Sequence, residues 1–263
     1  MHIGIIGTGN IASFLLEAIN GNPELKEEMQ ICSLYGRNEK VGAELAAAYH
    51  IDFYTDIDEF LDSSIEVVAE AATVQAVKAV APHVLKAGKD LLLSSVGALS
   101  DPAFYSEART LAGENAAKLY IPSGAIGGLD MIQSAQALGG LQKVAITTRK
   151  TPQSLGITED SGKETIVFQG SAAEAIEKFP KNINVAIILS LAGIGTTATT
   201  VTISADPQVT KNTHTIEAAG TFGNFQTTIE NEPMPNNPKT SYLAALSILS
   251  TLQNKNQSIQ IGG

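Results

Sequence analysis

The chain has 263 residues, of which 44% are hydrophobic and 17% charged, a balance typical of a globular enzyme that excludes a disordered chain. Its formal net charge of -10 argues against nucleic-acid binding, which needs a basic face, and means that local cations must hold any anionic substrate. One cysteine and four scattered histidines offer no disulfide and no metal-ligand spacing, so we expect no metal. Neither a signal peptide nor an apolar run of about 18 residues is recognisable, so we expect a cytoplasmic protein without membrane contacts.

A glycine-rich turn follows the first apolar run of the chain. That run, His2 to Ile6, leads into Gly7-Thr8-Gly9-Asn10-Ile11-Ala12 and then into a helical pattern. In a G-x-G-x-x-A turn between strand and helix, the first glycine makes the turn, the second admits a pyrophosphate, and the third small residue packs helix on strand. The pattern predicts a dinucleotide site formed by Gly7, Thr8, Gly9, Asn10 and Ile11. The alternative is a purely structural glycine turn.

The second predicted strand, residues 30–35, ends in Gly36-Arg37-Asn38. A site specific for NAD commonly has Asp or Glu at this point, where the carboxylate binds the ribose hydroxyls. Here no carboxylate follows the strand, and Arg37 is available for the 2′-phosphate of NADP. We therefore expect NAD or NADP as the cofactor. The alternative is that Arg37 lies along the adenine or in solvent.

Strands and helices alternate through residue 122, which predicts a doubly wound parallel sheet of the Rossmann type with helices on both faces. The predicted helices cover residues 41–49, 75–87 and 102–117, with a short polar turn or helix at 56–61, and the strands cover residues 65–70, 90–94 and 119–122. Small residues follow two of these strands. Ala71 and Ala72 leave room for a nicotinamide ribose, and Ser95 is placed to line that ribose or to donate to a substrate carboxylate.

The pattern changes at the central glycine-rich stretch, residues 124–130. After it we predict helices at 129–138, 171–179 and 182–192, strands at 143–150, 164–169 and 196–204, and a hairpin of residues 213–219 and 221–229. These predict an α+β domain with an open mixed or antiparallel sheet. Residues 231–238 read as a proline-rich linker, and 240–253 as a helix that returns to the first domain. We therefore expect a dinucleotide-binding domain of residues 1–123 and 232–263, and a substrate and dimerisation domain of residues 124–231.

Few residues of the second half suit the chemistry of a bound nicotinamide. His214 is its one histidine, in a polar loop leading into a strand, and imidazole is well matched to proton transfer near neutral pH; the alternative is a surface histidine. Asn184, in the first turn of an apolar helix, is placed to bond the cofactor amide, whereas Asn182 reads as the helix N-cap. Ser123 is a candidate donor to a substrate carboxylate. Four cations are near in sequence: Arg149, Lys150, Lys163 and Lys211.

Five segments together resemble one family. They are Gly7-Thr8-Gly9-Asn10-Ile11-Ala12, Ser94-Ser95-Val96-Gly97-Ala98-Leu99, Ser123-Gly124-Ala125-Ile126-Gly127-Gly128-Leu129-Asp130, Asn182-Ile183-Asn184-Val185-Ala186, and Asp206-Pro207 with Asn212-Thr213-His214. In this order, over nearly the whole chain, they look like the L-aspartate dehydrogenases that make iminoaspartate for NAD biosynthesis. The central segment and Asn-x-His are its specific parts, since many dehydrogenases share the glycine turn.

The resemblance implies oxidative deamination of L-aspartate with NAD or NADP. It also implies that Ala125 and Asn184 contact the cofactor and that His214 is catalytic. We expect Ser123, Asn184 and His214 to bind substrate. A homodimer built through the second domain's sheet follows from the same resemblance.

Two alternatives remain open from the sequence. One keeps the fold and changes the substrate, as in dihydrodipicolinate reductase; the similar sugar dehydrogenases are disfavoured because their Glu-Lys-Pro segment is replaced here by Ser94-Ser95-Val96-Gly97. The other is a dinucleotide sensor without catalysis.

Overall fold

The computed structural model describes residues 1–157, 162–180 and 183–259, with the side chains of residues 238 and 239 left out. Its described residues form two compact units. The first comprises residues 1–122 and 248–259, and the second comprises the described residues between 123 and 247. Asn182, predicted as a helix N-cap, lies outside the described residues.

The first unit is built on six parallel strands in the spatial order β3-β2-β1-β4-β5-β6. The strands are β1 (His2–Ile6), β2 (Gln30–Tyr35), β3 (Asp52–Tyr54), β4 (Val67–Glu70), β5 (Asp90–Leu93) and β6 (Leu119–Tyr120). The helices between them are α1 (Asn10–Asn20), α2 (Pro23–Glu28), α3 (Glu39–Tyr49), α4 (Ile57–Asp62), α5 (Val74–Lys86) and α6 (Pro102–Glu114). The predicted Rossmann sheet is confirmed, and its strand order reverses between β1 and β4, where such sheets bind ligands.

The core of the first unit forms because central parallel strands are covered on both faces and therefore consist of apolar residues. Ile3 and Ile5 of β1 are fully buried, and Leu15, Leu16 and Ile19 on one face of α1 pack in the same cluster. Each of these large side chains contributes about 1.5–3 kcal/mol when buried.

The second unit contains a mixed five-stranded sheet in the order β11-β10-β7-β9-β8. The strands are β7 (Leu141–Lys150), β8 (Thr165–Ser171), β9 (Thr200–Ala205), β10 (Asn212–Gly220) and β11 (Gly223–Asn231), and the helices are α7 (Leu129–Gln136), α8 (Ala172–Lys178) and α9 (Asn184–Ala192). All neighbouring strands are antiparallel except β7 and β9. The predicted open mixed sheet is thus confirmed, and β10 and β11 form the expected hairpin.

The segment predicted as a proline-rich linker folds instead into a small hairpin, β12 (Pro233–Met234) and β13 (Asn237–Ser241). It leads into α10 (Tyr242–Asn256). At the start of this helix, the Tyr242 N–H donates to the Glu232 carbonyl at 2.8 Å. Ser247 Oγ accepts the Gly124 N–H at 3.0 Å. These bonds explain why residues 232–247 belong to the second unit, where we had expected the first.

From Ile248 onward, α10 belongs to the first unit. Ile248 and Leu252 join the apolar core described above. Further along the helix, Lys255 Nζ lies 2.7 Å from Asp90 Oδ2, at the start of β5.

Candidate functional site

A cavity of about 430 Å³ opens in the first unit beyond the carboxyl ends of β1, β2 and β4. Its walls are the three loops after these strands and one face of α5. They include six of the residues predicted to bind the cofactor: Gly7, Thr8, Gly9, Arg37, Ala71 and Ala72. Asn10 and Ile11, also predicted, form the start of α1 directly behind the glycine turn. The cavity therefore lies at the point where the strand order reverses.

The two glycines of the turn have different surroundings. Gly7 has a φ of +118°, its N–H donates to the Tyr35 carbonyl at 2.8 Å, and a Cβ would meet the Ala71 carbonyl oxygen. A Cβ on Gly9 would meet nothing within 4 Å. Gly9 is the N-cap of α1 and has no side chain to bond the first-turn N–H groups. Those N–H groups can therefore donate hydrogen bonds to a ligand. This open cradle at a helix N-terminus fits the pyrophosphate of a dinucleotide.

The β2 side of the cavity has a cation and no acid. None of the described residues that line it is Asp or Glu, and Arg37 is exposed there. Gly36, the position after the strand, has no room for a side chain, because a Cβ would lie 2.7 Å from Thr8 Cγ2. The Asn38 side chain is used as the α3 cap and accepts the Val41 N–H at 3.2 Å. This end of the cavity therefore suits a ribose with or without a 2′-phosphate.

Glu70, the last residue of β4, was not among the predicted site residues. Its carboxylate is fully buried and accepts hydrogen bonds from Ala72, Ser94 and Ser95. Ser95, which was expected to face a ligand, donates its hydroxyl to Glu70 Oε1 at 2.8 Å. The sequence does show an acid at the end of an apolar strand, which could have marked Glu70 as a site residue. Its hydrogen-bond donors Ser94 and Ser95, however, come close to it only because β4 pairs with β5.

In the second unit, His214 is a buried residue of β10 and not a loop residue. Its Nδ1 lies 2.9 Å from Thr148 Oγ1 on the paired strand β7. Lys150, two residues along β7, lies on the same side of the sheet as Thr148. Burial, and secondly the charge of Lys150, lowers the pKa of His214 to about 4, and burial also lowers the pKa of Lys150. His214 is therefore a neutral imidazole at neutral pH.

Arg149 and Lys211, two of the nearby cations, lie beside acids. Arg149 Nη1 lies 4.0 Å from Asp206 Oδ2, and Lys211 forms an ion pair with Glu232. Lys150 lies close enough to His214 for its positive charge to lower the pKa of that imidazole.

The Ala125 backbone is held by a side chain that the sequence reading assigned to a linker. Asn231, 4% exposed at the end of β11, donates from Nδ2 to the Ala125 carbonyl at 3.0 Å. Its Oδ1 accepts the Ser241 hydroxyl at 2.5 Å. Asn231 pairs with Asn212, two residues before His214, so it lies on the His214 side of the sheet. Asn231 thus connects the Ala125 turn to the sheet that carries His214.

The other predicted residues of the second unit have different exposures. Asn184 is exposed at the first position of α9, after Ile183, which provides no side-chain cap. Ser123 is half-buried directly before Gly124, whose φ of +65° lies in the left-handed region. The described residues contain no group of three or more His, Cys, Asp or Glu side chains placed to hold a metal ion. None of the helices in the described ranges is long and apolar enough to cross a membrane.

The fold and the dinucleotide cradle define an oxidoreductase that uses NAD or NADP. The chain is 42% identical over 274 residues to an L-aspartate dehydrogenase of Methanosarcina mazei, with 100% of this chain and 99% of the relative covered. It is 40% identical over 261 residues to that of Archaeoglobus fulgidus, with 99% and 100% covered. The chain belongs to the L-aspartate dehydrogenase family.

Two family models and a solved structure agree with this assignment. Residues 7–122 match the NAD-binding domain of homoserine dehydrogenase, and residues 130–255 match the C-terminal domain of aspartate dehydrogenase. The crystal structure of aspartate dehydrogenase from Thermotoga maritima superposes with a TM-score of 0.80 at 33% identity, covering 98% of each chain.

Proposed function

We propose that the protein oxidises L-aspartate to iminosuccinate with NAD⁺ or NADP⁺, and that water then converts iminosuccinate to oxaloacetate and ammonia. One hydride leaves Cα for the cofactor, and one proton leaves the amino group, which balances the oxidation. The observation that carries the proposal is the full-length similarity to L-aspartate dehydrogenases, which includes both units. Release of iminosuccinate would supply NAD biosynthesis.

The first unit is proposed to bind the dinucleotide. Gly9 and the first turn of α1, including Asn10 and Ile11, hold the pyrophosphate through backbone N–H groups. Arg37 faces the adenosine ribose and tolerates a 2′-phosphate. Ala71, Ala72 and Ser95 border the nicotinamide ribose. When bound, the oxidised nicotinamide supplies the hydride acceptor, and the protein supplies position, proton transfer and charge.

The second unit is proposed to bind the nicotinamide amide and the substrate. Ala125 and Asn184 contact the amide, and Ser123 and Asn184 donate to the substrate. Lys150 holds one of the two carboxylates of aspartate against the chain's net charge of -10. Its position beside His214 supports this role.

His214 is proposed as the catalytic base. In the tautomer whose Nδ1–H donates to Thr148 Oγ1, the lone pair of Nε2 accepts the proton from the amino group or orients the water that attacks the imine. The neutral state of the buried imidazole supports this assignment, because only the neutral form accepts a proton. The hydrogen bond to Thr148 Oγ1 orients the ring.

We further propose a cytoplasmic homodimer that associates through the second unit's sheet. Ile166 and Val167, on the edge strand β8, are 59% and 36% exposed and provide apolar surface for such contact. Sedimentation equilibrium tests this: a dimer mass is expected, and a monomer at micromolar concentration would contradict it.

The test of the function is reduced-cofactor formation with L-aspartate, compared with D-aspartate, L-glutamate and L-alanine. We expect turnover with L-aspartate to exceed that with each of the others by more than about a hundredfold, because a site built to bind a charged group rejects ligands that lack it or misplace it. Cofactor binding without turnover on any amino acid would indicate a dinucleotide sensor instead.

A further inference from the structure

Glu70 is a fully buried acid that has no cationic partner among the described residues. Its side chain is 0% exposed at the carboxyl end of β4. Within the described part of the chain, no Lys or Arg lies within ion-pair distance of its oxygens. A buried charge is costly unless hydrogen bonds satisfy it, so its partners indicate why it is there.

The Glu70 carboxylate accepts four hydrogen bonds. Oε1 accepts the Ala72 N–H at 2.7 Å and the Ser95 hydroxyl at 2.8 Å. Oε2 accepts the Ser95 N–H at 2.8 Å and the Ser94 N–H at 3.2 Å. Burial raises the pKa of Glu70, and these hydrogen bonds offset part of that rise. Three of the four donors are backbone N–H groups, which cannot accept a hydrogen bond, so the arrangement favours the ionised form.

The position of Glu70 relates it to the reactive end of a dinucleotide. The pyrophosphate cradle lies at β1, and the Arg37 end lies beyond β2, on one side of the switch point. The nicotinamide half of the cofactor therefore extends to the other side, over the ends of β4 and β5. Ala71 and Ala72, which follow Glu70, line the cavity there.

We propose that the buried Glu70 carboxylate makes the site discriminate between cofactor redox states, favouring the cationic nicotinamide of NAD⁺ over the neutral ring of NADH. Glu70 is a positioning residue as well, since its hydrogen bonds join the loop after β4 to the loop after β5. The proposal rests on the proposed function only in that the bound dinucleotide is a nicotinamide cofactor. Its consequence is tighter capture of NAD⁺ and weaker retention of NADH, which reduces inhibition of deamination by the reduced cofactor.

The test measures dissociation constants for NAD⁺ and NADH by calorimetry, without substrate, in the wild type, Glu70→Gln and Ser95→Ala. For a separation on the order of 10 Å and an effective dielectric constant of about 20–40, Coulomb's law gives a change of about 4- to 20-fold in the ratio of the two constants. We expect Glu70→Gln to shift this ratio toward NADH by that factor. Ser95→Ala removes a donor but keeps the charge, so both constants should change while their ratio stays. An unchanged ratio in Glu70→Gln, even with weaker binding of both forms, would overturn the proposal.

A second measurement uses the wild type alone and decides the matter if Glu70→Gln does not fold. Benzamide adenine dinucleotide replaces the cationic ring of NAD⁺ by a neutral, planar ring of the same shape. We expect it to bind about 4- to 20-fold more weakly than NAD⁺. Equal binding would refute the charge effect. Failure of the wild type to bind any dinucleotide would instead refute the proposed function.

Discussion

The burial of His214 as a neutral imidazole predicts a specific acid sensitivity of the fold. Its pKa is lowered to about 4 by burial and by the charge of Lys150, whereas an unfolded histidine titrates near about 6.5. Between these values the unfolded chain takes up a proton that the folded chain does not. Stability from this residue is therefore complete above about pH 7 and is lost as pH falls toward 4.

The magnitude follows from the difference between the two pKa values. Each pKa unit corresponds to about 1.4 kcal/mol, so the full loss approaches about 3.5 kcal/mol, and the part lost between about pH 7.5 and 5 is about 2 kcal/mol. Other groups also titrate in this range, so the informative quantity is the difference between the wild type and a variant that lacks the imidazole.

The assay is urea unfolding of wild type and His214→Asn at about pH 7.5, 6.5, 5.5 and 5. Asn keeps a polar atom near Thr148 Oγ1 and does not titrate. We expect wild type to lose about 2 kcal/mol more than His214→Asn over this range. His50→Asn is the matched control, since it removes an exposed imidazole at a left-handed position that Asn tolerates, and should follow the wild-type profile. Parallel profiles for wild type and His214→Asn would refute the reasoning.

Three further predictions concern the cofactor cradle and the Ala125 turn. Gly9→Ala should leave the free energy of unfolding within about 0.5 kcal/mol of wild type but weaken NAD⁺ binding. Gly7→Ala, at a φ of +118°, should lower the free energy of unfolding by about 1–3 kcal/mol or more. Equal stability of the two variants would contradict the geometry. Arg37→Ser should weaken NADP⁺ binding about tenfold and NAD⁺ binding little, as measured by calorimetry; equal loss for both would place Arg37 away from the 2′-phosphate. Asn231→Ala should lower the free energy of unfolding by about 1–3 kcal/mol, because the Ala125 carbonyl loses its donor; an unchanged urea midpoint would exclude this.

The features that the sequence predicted well are those with local causes. The turn at Gly7 and Gly9 follows from backbone space and a helix start within six residues, so its pattern is readable without the fold. Alternating strands and helices predict a parallel sheet for the same reason. The predicted helix start at residue 171 is local in the same way, because the two hydrogen bonds of the Ser171 and Glu174 capping box lie within one turn.

The features that were missed depend on contacts between distant segments. Glu70 gains its donors from residues 94 and 95 only because β4 and β5 pair in parallel. Asn231 reaches Ala125 across 106 positions of the chain. The strand β3 has three residues and α2 has six, too short for a readable period. His214 was expected in a loop because the polar run before it hides the start of β10.

The central claim is hydride transfer from Cα of L-aspartate to a nicotinamide cofactor, and L-aspartate deuterated at Cα tests it most directly. The reduced cofactor is isolated after turnover in ordinary water, and its molecular mass is determined by mass spectrometry. We expect one deuterium in each molecule of reduced cofactor formed, with none appearing in water. Reduced cofactor without deuterium, or deuterium released to water, would contradict the account.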